Sequence, residues 1–459
     1  MMAAVLTTMS AWADVEINET NFPDEIFRNW VLSQGYGQDG VLTDAEISEV
    51  KTIDVSERGI KSLKGIEFFT VLEKLYCYTN QLTSLDVSKN TVLAELDCIG
   101  NQLSSLDVSK NTALKTLGCS NNQLTSLDVS KNTALGDLSC YGNQLTSLDV
   151  SKNTALIVLS CSSNQLTSLD VSKNTALALL SCSSNQLTSL DVSKNTALRW
   201  LHCNDNQLNS LDVSKNTALW GLDCGSNQLT SLDLSKNTLS QLWCYSNQLI
   251  SLDVSKNTGL TSLDCSSNRL ISLDVSKNTA LEFLYCSGNQ LTSLDVSKNT
   301  VLAELDCYGN LLTSLDVLKN TALLTLNCGG NQLTSLDVSK NTALTQLECY
   351  QNQIKGTGMD ALMESLPIVS DGNMYAIDSE DEGNVMTTAQ VEVANAKGWT
   401  VYYHDGKDWQ VYAGSEPDGI NDITADGKAF DNIINLAGQR INGLRRGLNI
   451  INGEKVWVK

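Results

Sequence analysis

Apolar positions recur along this chain in one fixed order. Leu72, Leu75 and Cys77 are followed by polar residues to Asn80; Leu82, Leu85 and Val87 are followed by polar residues to Asn90. The first run reads LxxLxCxxN and the second LxxLxVxxN, so each 21-residue unit is two similar halves of ten and eleven residues. Alternation at Leu75 and Cys77, and again at Leu85 and Val87, has the period of two that marks a strand. Two short parallel strands per unit are predicted, with asparagine at each corner, where its side chain satisfies backbone groups that a turn leaves unpaired. Repetition at this period implies stacked coils, each resting on its neighbours, instead of one globular core.

Cysteine marks the register. All fourteen cysteines, from Cys77 to Cys349, occupy the same slot, and twelve of the thirteen intervals between them are 21 residues. The remaining interval, Cys224 to Cys244, is 20 residues; it contains Asn237-Thr238-Leu239 where other units read Asn-Thr-Ala-Leu, and a local kink is predicted there. The matching slot of the second half holds Val87 and its counterparts, with Leu234 in one unit. Small buried apolar filling is therefore the simplest role for the cysteines. Strands about 4.7–4.9 Å apart do not exclude disulfides by distance. Cβ vectors in register along a parallel sheet nevertheless match the disulfide torsion poorly, and thiolates in a straight column cannot surround a metal ion tetrahedrally.

The second half recurs almost verbatim as Ser-Leu-Asp-Val-Ser-Lys-Asn, and the first half carries the variation. Its outward positions hold Tyr76, Tyr78, Tyr141, Tyr245, Tyr285, Tyr308 and Tyr350, with Trp200, Trp243 and Phe283; Trp220 lies one position outside the pattern. The densest stretch runs through Trp200, His202, Trp243, Tyr245, Phe283 and Tyr285, with Asp223, Asp264 and Asp306 interleaved. Exposed aromatics on a rigid sheet are the usual material of binding hot spots, although tyrosine and tryptophan are also good strand formers on a half-exposed sheet. The second half presents thirteen aspartates, Asp86 to Asp337, each with a lysine three residues on. Solvated, lysine-balanced carboxylates are expected there; a calcium ladder is the alternative.

The motif resembles the leucine-rich repeat family, LxxLxLxxNxL, and within it the irregular bacterial class with nested half-repeats. The resemblance covers residues 50–354 and departs from the family pattern by placing cysteine in the third apolar slot. It implies a repeat solenoid with short parallel strands on two faces and little helix in the array, and it implies that the variable sheet is the ligand face.

Residues 14–49 are expected to form a helical N-terminal cap. Apolar spacing at Ile26, Trp30 and Val31 suggests one helix, and Thr43 to Glu46 is a capping box for another. The loop between them resembles the calcium-loop-like segment that precedes many bacterial leucine-rich repeats. Asp39 and Glu46 stand at its fifth and twelfth positions, but Gly35 and Gly37 replace the first two ligands. A structural cap is expected, and calcium is the only ion the residues suggest. After Ile354 the repeat ends, and residues 355–413 read as an α/β cap with helices at 359–365 and 387–397 and strands at 374–378, 399–403 and 409–413.

Residues 414–419 read as a linker. Residues 420–459, with Arg440, Arg445, Arg446, Lys455 and the ending Lys-Val-Trp-Val-Lys, resemble the C-terminal sorting domain of type IX secretion in Bacteroidetes, a small all-β tail. Together with Ala11-Trp12-Ala13, which fits a small-x-small signal-peptidase site closing residues 1–13, this implies a secreted or outer-membrane-associated surface protein of a Gram-negative bacterium. It further implies tail cleavage and attachment to a surface glycolipid. No stretch has the roughly 18 to 20 apolar residues of a membrane-spanning helix.

A net charge of −21 with no basic patch in the array argues against nucleic acid as a partner. Catalysis has little support. The two histidines are His202, which alternation puts on the opposite face from Cys203 and beside Asp223, and His404, which has no evident partner. No phosphate loop, zinc spacing or nucleophile elbow is present. The expected function is protein binding or adhesion through the variable face, with glycan binding or a structural surface rod as alternatives; no cofactor is expected.

Overall fold

A computed structural model describes residues 14–378 and 383–415, and the strands Ile433–Ile434, Gly447–Ile451 and Glu454–Val458. The signal-peptide expectation for residues 1–13 and most of the sorting-tail expectation, including Arg440, Arg445 and Arg446, lie outside the described residues. The three tail strands pair antiparallel, Ile433 with Ile451 and Gly447 with Val458. The chain divides into two compact units, Met1–Leu249 and Ile250–Lys459.

In the first unit a leading strand, Thr52–Asp54, is followed by nine three-residue strands from Lys74–Tyr76 to Gln241–Trp243. Each pairs in parallel with the next, central leucine opposite central leucine: Leu75 with Leu96, Leu201 with Leu222. That leucine and the cysteine two residues later point into the coil and are fully buried, as in Leu201 and Cys203. In the second unit five such strands run from Ser262–Asp264 to Gln346–Glu348. The parallel ladder continues through Gly372–Asp378 and Trp399–His404, and Trp409–Val411 closes it antiparallel. Among the described residues α-helix is confined to Glu25–Ser33, Asp44–Ile47, Thr357–Ser365 and Thr388–Ala396, with one 3-10 turn at Ile66–Phe68. The fold is the expected parallel β-solenoid.

The second strand of each unit does not form. Only Asp86 and Asp107 make an isolated bridge, and the remaining second halves are turns and irregular backbone. At the first residue of the half the backbone still joins coils, with Gln102 N–H donating to Leu82 O of the preceding coil at 2.8 Å. Beyond that residue the backbone bonds are local, Asn111 N–H to Val108 O at 3.0 Å and Leu114 N–H to Asn111 O at 3.1 Å, and coil-to-coil attachment is made by side chains. Asn111 Nδ2 donates to Val87 O and Asn90 O of the preceding coil, both at 2.9 Å. In the first half the strand ladder does this work, reinforced by Asn101, whose Nδ2 donates to Cys77 O and Cys98 O at 3.0 Å. Its Oδ1 accepts from Leu82 N–H, also at 3.0 Å.

The aspartates of the second half cap their own turns. Asp86 Oδ1 accepts from Ser88 N–H at 2.9 Å, and the pattern recurs up to Asp337 and Ser339 at 2.8 Å. The Ser88 hydroxyl and N–H hold the Asp86 carboxyl below its ordinary pKa, with Lys89 a smaller influence. At Asp86 serine therefore matters more to the carboxylate than the lysine balance expected from sequence.

The 20-residue unit leaves the strands in register: Gly221 opposite Gln241, Leu222 opposite Leu242, Asp223 opposite Trp243. Asn237 Nδ2 still reaches Val213 O at 3.1 Å and Asn216 O at 3.0 Å. The missing residue comes out of the turn that follows Asn237, so the kink predicted for this unit does not reach the ladder.

At the N-terminal cap, helix Glu25–Ser33 buries Phe27 and Val31, whereas Ile26, expected inside, is 45% exposed. Phe22 fixes the face by packing on Phe27 and Phe68 at ring distances of 5.7 and 5.8 Å. Asp24 caps the helix through Phe27 N–H and also accepts from Lys61 N–H at 2.8 Å, tying the cap to the array. At the other end Asn384 takes over the asparagine corner, accepting from Ile354 N–H and donating to Cys349 O, both at 2.8 Å.

Candidate binding face

The variable positions lie on the outer side of the three-residue strands, where backbone hydrogen bonds on both flanks hold them. In the first unit Trp200 is the centre of an aromatic group. Its indole stacks on His202 at 5.2 Å with 8° between planes, meets Trp220 edge-on at 4.9 Å and stacks on Trp243 at 6.1 Å. The ring crosses Gly221, where a Cβ would collide with it, and Tyr245 covers Gly225 in the same way. Glycine at these two positions makes room for the rings. Trp220, which the sequence pattern set apart, is 45% exposed at the edge of the group. His202 stands in register opposite Asp223, as expected, and burial lowers its imidazole pKa, favouring the neutral ring.

Phe283, Tyr285 and Asp264 belong to the second unit. Asp264 and Tyr285 are register partners on adjacent strands, and Phe283 is 38% exposed. The Tyr285 hydroxyl donates to Glu304 Oε2 at 2.8 Å, and Asp264 Oδ1 accepts from Ser266 N–H at 3.0 Å.

A further group escaped the sequence reading because half of it comes from the cap. Tyr308 and Tyr350 approach to 5.7 Å over Gly329, Tyr350 meets Trp409 at 5.1 Å, and Trp409 meets Tyr375 at 4.9 Å. Tyr375 stacks on Tyr402 at 5.1 Å. His404 packs on Trp409 at 5.2 Å and points Nδ1 at Asp378 Oδ1, 3.6 Å away, so the histidine that lacked a partner in sequence has one. Asp306 and Glu348 sit among these rings, half-buried, and burial raises both carboxyl pKa values, with Asp306 adding to the shift at Glu348. Burial, then Glu348, Tyr308, Asp378 and Asp306 around it, push Tyr350 up as well. The signal was present as Tyr375 in Gly372–Asp378 and Tyr402 in Trp399–His404, register partners on strands read only as a cap.

Asp39 and Glu46, the calcium-loop remnants, serve the backbone. Asp39 Oδ1 accepts from Val41 N–H at 3.1 Å, and Glu46 Oε2 accepts from Thr43 N–H at 2.9 Å in the predicted capping box. The cysteines are buried free thiols, and burial pushes Cys98 and Cys161 up to about 12. Cys203 and His202 therefore form no reactive pair.

No family model and no curated protein matches the chain. Solved structures do. The functional domain of InlJ from Listeria monocytogenes, described as including a cysteine ladder, is 36% identical over 81% of this chain and 84% of that one, with a TM-score of 0.74. A leucine-rich repeat protein of Leptospira interrogans is 23% identical over 78% and 96%, with a TM-score of 0.67. YopM from Yersinia enterocolitica is 24% identical over 78% of each chain, with a TM-score of 0.61. The last two show the fold alone. A parallel solenoid with asparagine corners and a solvent-facing variable sheet defines a leucine-rich repeat protein. The chain belongs to the bacterial leucine-rich repeat family, and the InlJ domain shares with it a column of cysteines.

Proposed function

We propose that the protein is a secreted or surface-exposed binding module that recognises a protein partner through the variable face of its strands. The observation that carries this reading is the Trp200 group. Large aromatic side chains, partly exposed, pack into the space left by Gly221 and Gly225, on backbone that the strand ladder fixes. Pre-ordered aromatic surface of this kind loses little conformational entropy on binding. Secretion is supported by the signal-like start and by the resemblance of the tail to sorting domains. Among the described residues no helix is long and apolar enough to cross a membrane.

The test uses the full chain as bait on bacterial and host surface proteins, beside the double variant Trp200→Ala, Trp243→Ala. Capture should fall at least about tenfold while thermal unfolding is unchanged. Undiminished capture by the variant refutes the reading. The partly exposed tryptophans around Trp200 also favour a second reading, stacking on a sugar. Saturable tryptophan quenching by an oligosaccharide, with no protein captured, would put that one first.

A further inference from the structure

We propose that the C-terminal end of the variable face seats an arginine side chain presented by the protein partner. Asp306 and Glu348 supply the carboxylates, and Tyr308, Tyr350 and Trp409 supply the flanking rings. This rests on the protein-binding reading above and gives it a second, chemically distinct contact.

Three observations point to a planar cation. First, the carboxylates lack a cationic partner. Glu348 Oε1 accepts only a neutral amide hydrogen, from Gln346 Nε2 at 2.7 Å, and Asp306 Oδ1 accepts from Tyr308 N–H at 3.0 Å. Among the described residues neither forms an ion pair with lysine or arginine. Lys397 of the cap is committed elsewhere, donating to the carbonyls of Met363, Glu364 and Leu366. Second, both carboxylates are partly withdrawn from water, so the site holds negative charge at a cost that a cation would relieve. Third, the walls are aromatic faces, fixed by their mutual packing and by the Tyr308 hydroxyl bond to Gln351 Oε1 at 3.2 Å.

A guanidinium stacks on aromatic faces, forks onto carboxylate oxygens and is weakly hydrated, whereas an ammonium is a compact, strongly hydrated charge. Among the described residues no group of three or more carboxylate, cysteine and histidine side chains is arranged to hold a metal ion.

The test titrates the full chain calorimetrically with three synthetic glycine-spaced peptides, carrying arginine, lysine or the neutral arginine isostere citrulline. The arginine peptide should bind saturably, the lysine peptide more weakly, and the citrulline peptide at least about tenfold more weakly. The double variant Asp306→Asn, Glu348→Gln, near-isosteric and checked by thermal unfolding, should abolish the preference for arginine. Trp200→Ala, Trp243→Ala should leave it intact. Equal binding of arginine and citrulline peptides, no saturable arginine binding, or undiminished binding by the Asn/Gln variant overturns the proposal. Partner capture that survives the Asn/Gln variant but not the Trp200/Trp243 variant overturns it too, and leaves the protein-binding reading standing. An arginine preference without any captured partner does the reverse.

Discussion

The two halves of each coil read alike in sequence and are built differently. The first half is a strand whose backbone bonds to both neighbours, and its outward residues vary from Trp200 to Gly221 to Gln241. The second half has no strand, and its sequence barely changes. Beyond its first leucine, whose carbonyl still accepts a backbone N–H from the next coil, coil-to-coil bonds there come from Asn111 and its counterparts, and the turns are held by Asp86 and its counterparts. Where the backbone does the fastening, side chains are free to vary. Where side chains fasten, they are fixed. The uniform Ser-Leu-Asp-Val-Ser-Lys-Asn run is thus a structural requirement, and the binding chemistry is left to the first half.

The largest expected effect separates the cysteine column of the first half from the valine column of the second. Folding raises the thiol pKa, so the stability these thiols confer is complete below their unfolded value near 8.5. It is lost as pH rises toward the folded value, about 12 for Cys98 and Cys161. Each thiol that titrates only on unfolding contributes a slope of about 1.4 kcal/mol per pH unit, and burial raises twelve of them, from Cys77 to Cys328, in the same direction. Under reductant, alkaline unfolding should therefore be steep, with thiolate absorbance and loss of circular dichroism appearing together. Thiolate absorbance rising near pH 9 in a protein that is still folded would break the comparison.

Next come the two asparagine columns. Asn185 donates to Cys161 O, Cys182 O and Ser183 O and accepts from Leu166 N–H. Asn195 donates to Val171 O and Asn174 O, and its buried Oδ1 accepts from no protein group. At about 1–3 kcal/mol per buried group left unsatisfied, Asn185→Ala should cost about 4 kcal/mol and Asn195→Ala about 2 kcal/mol in denaturant unfolding. Equal losses would mean that the strand ladder adds nothing to the corner it borders. The smallest effect is Asp191→Ala, which removes an exposed turn bond to Ser193 N–H. It should lower the unfolding midpoint only slightly, and a loss as large as that of Asn195→Ala would show that the turn, not the amide, holds the second half.

The coil period, the buried slots, the asparagine corners and the cap elements were legible because each leaves a local mark: spacing, a capping box, alternation. The missing second strand was not, since Leu85 and Val87 alternate as strand residues do. In place of a ladder, the coils are joined there by the Asn111 amide on Val87 O and Asn90 O, which alternation does not reveal. The orientation of the first helix was misread because Phe22, outside the helix, selects Phe27 over Ile26. Half of the candidate surface was visible as outward aromatics. The Tyr308–Trp409 group was hidden because its members are brought together by the cap continuing the ladder, which no spacing rule encodes.

The shortened turn after Asn237 bears on how such a gene can change. A residue has gone from that turn without disturbing the pairing of Leu222 with Leu242. The joints between coils are chemically interchangeable, each made by the same amide on the same two carbonyls. Unequal recombination between the near-identical repeat segments can then delete or duplicate whole coils and create only junctions of a kind already present. Reach, and the number of sites on the face, become heritable quantities that drift or respond to selection without a folding penalty at each step.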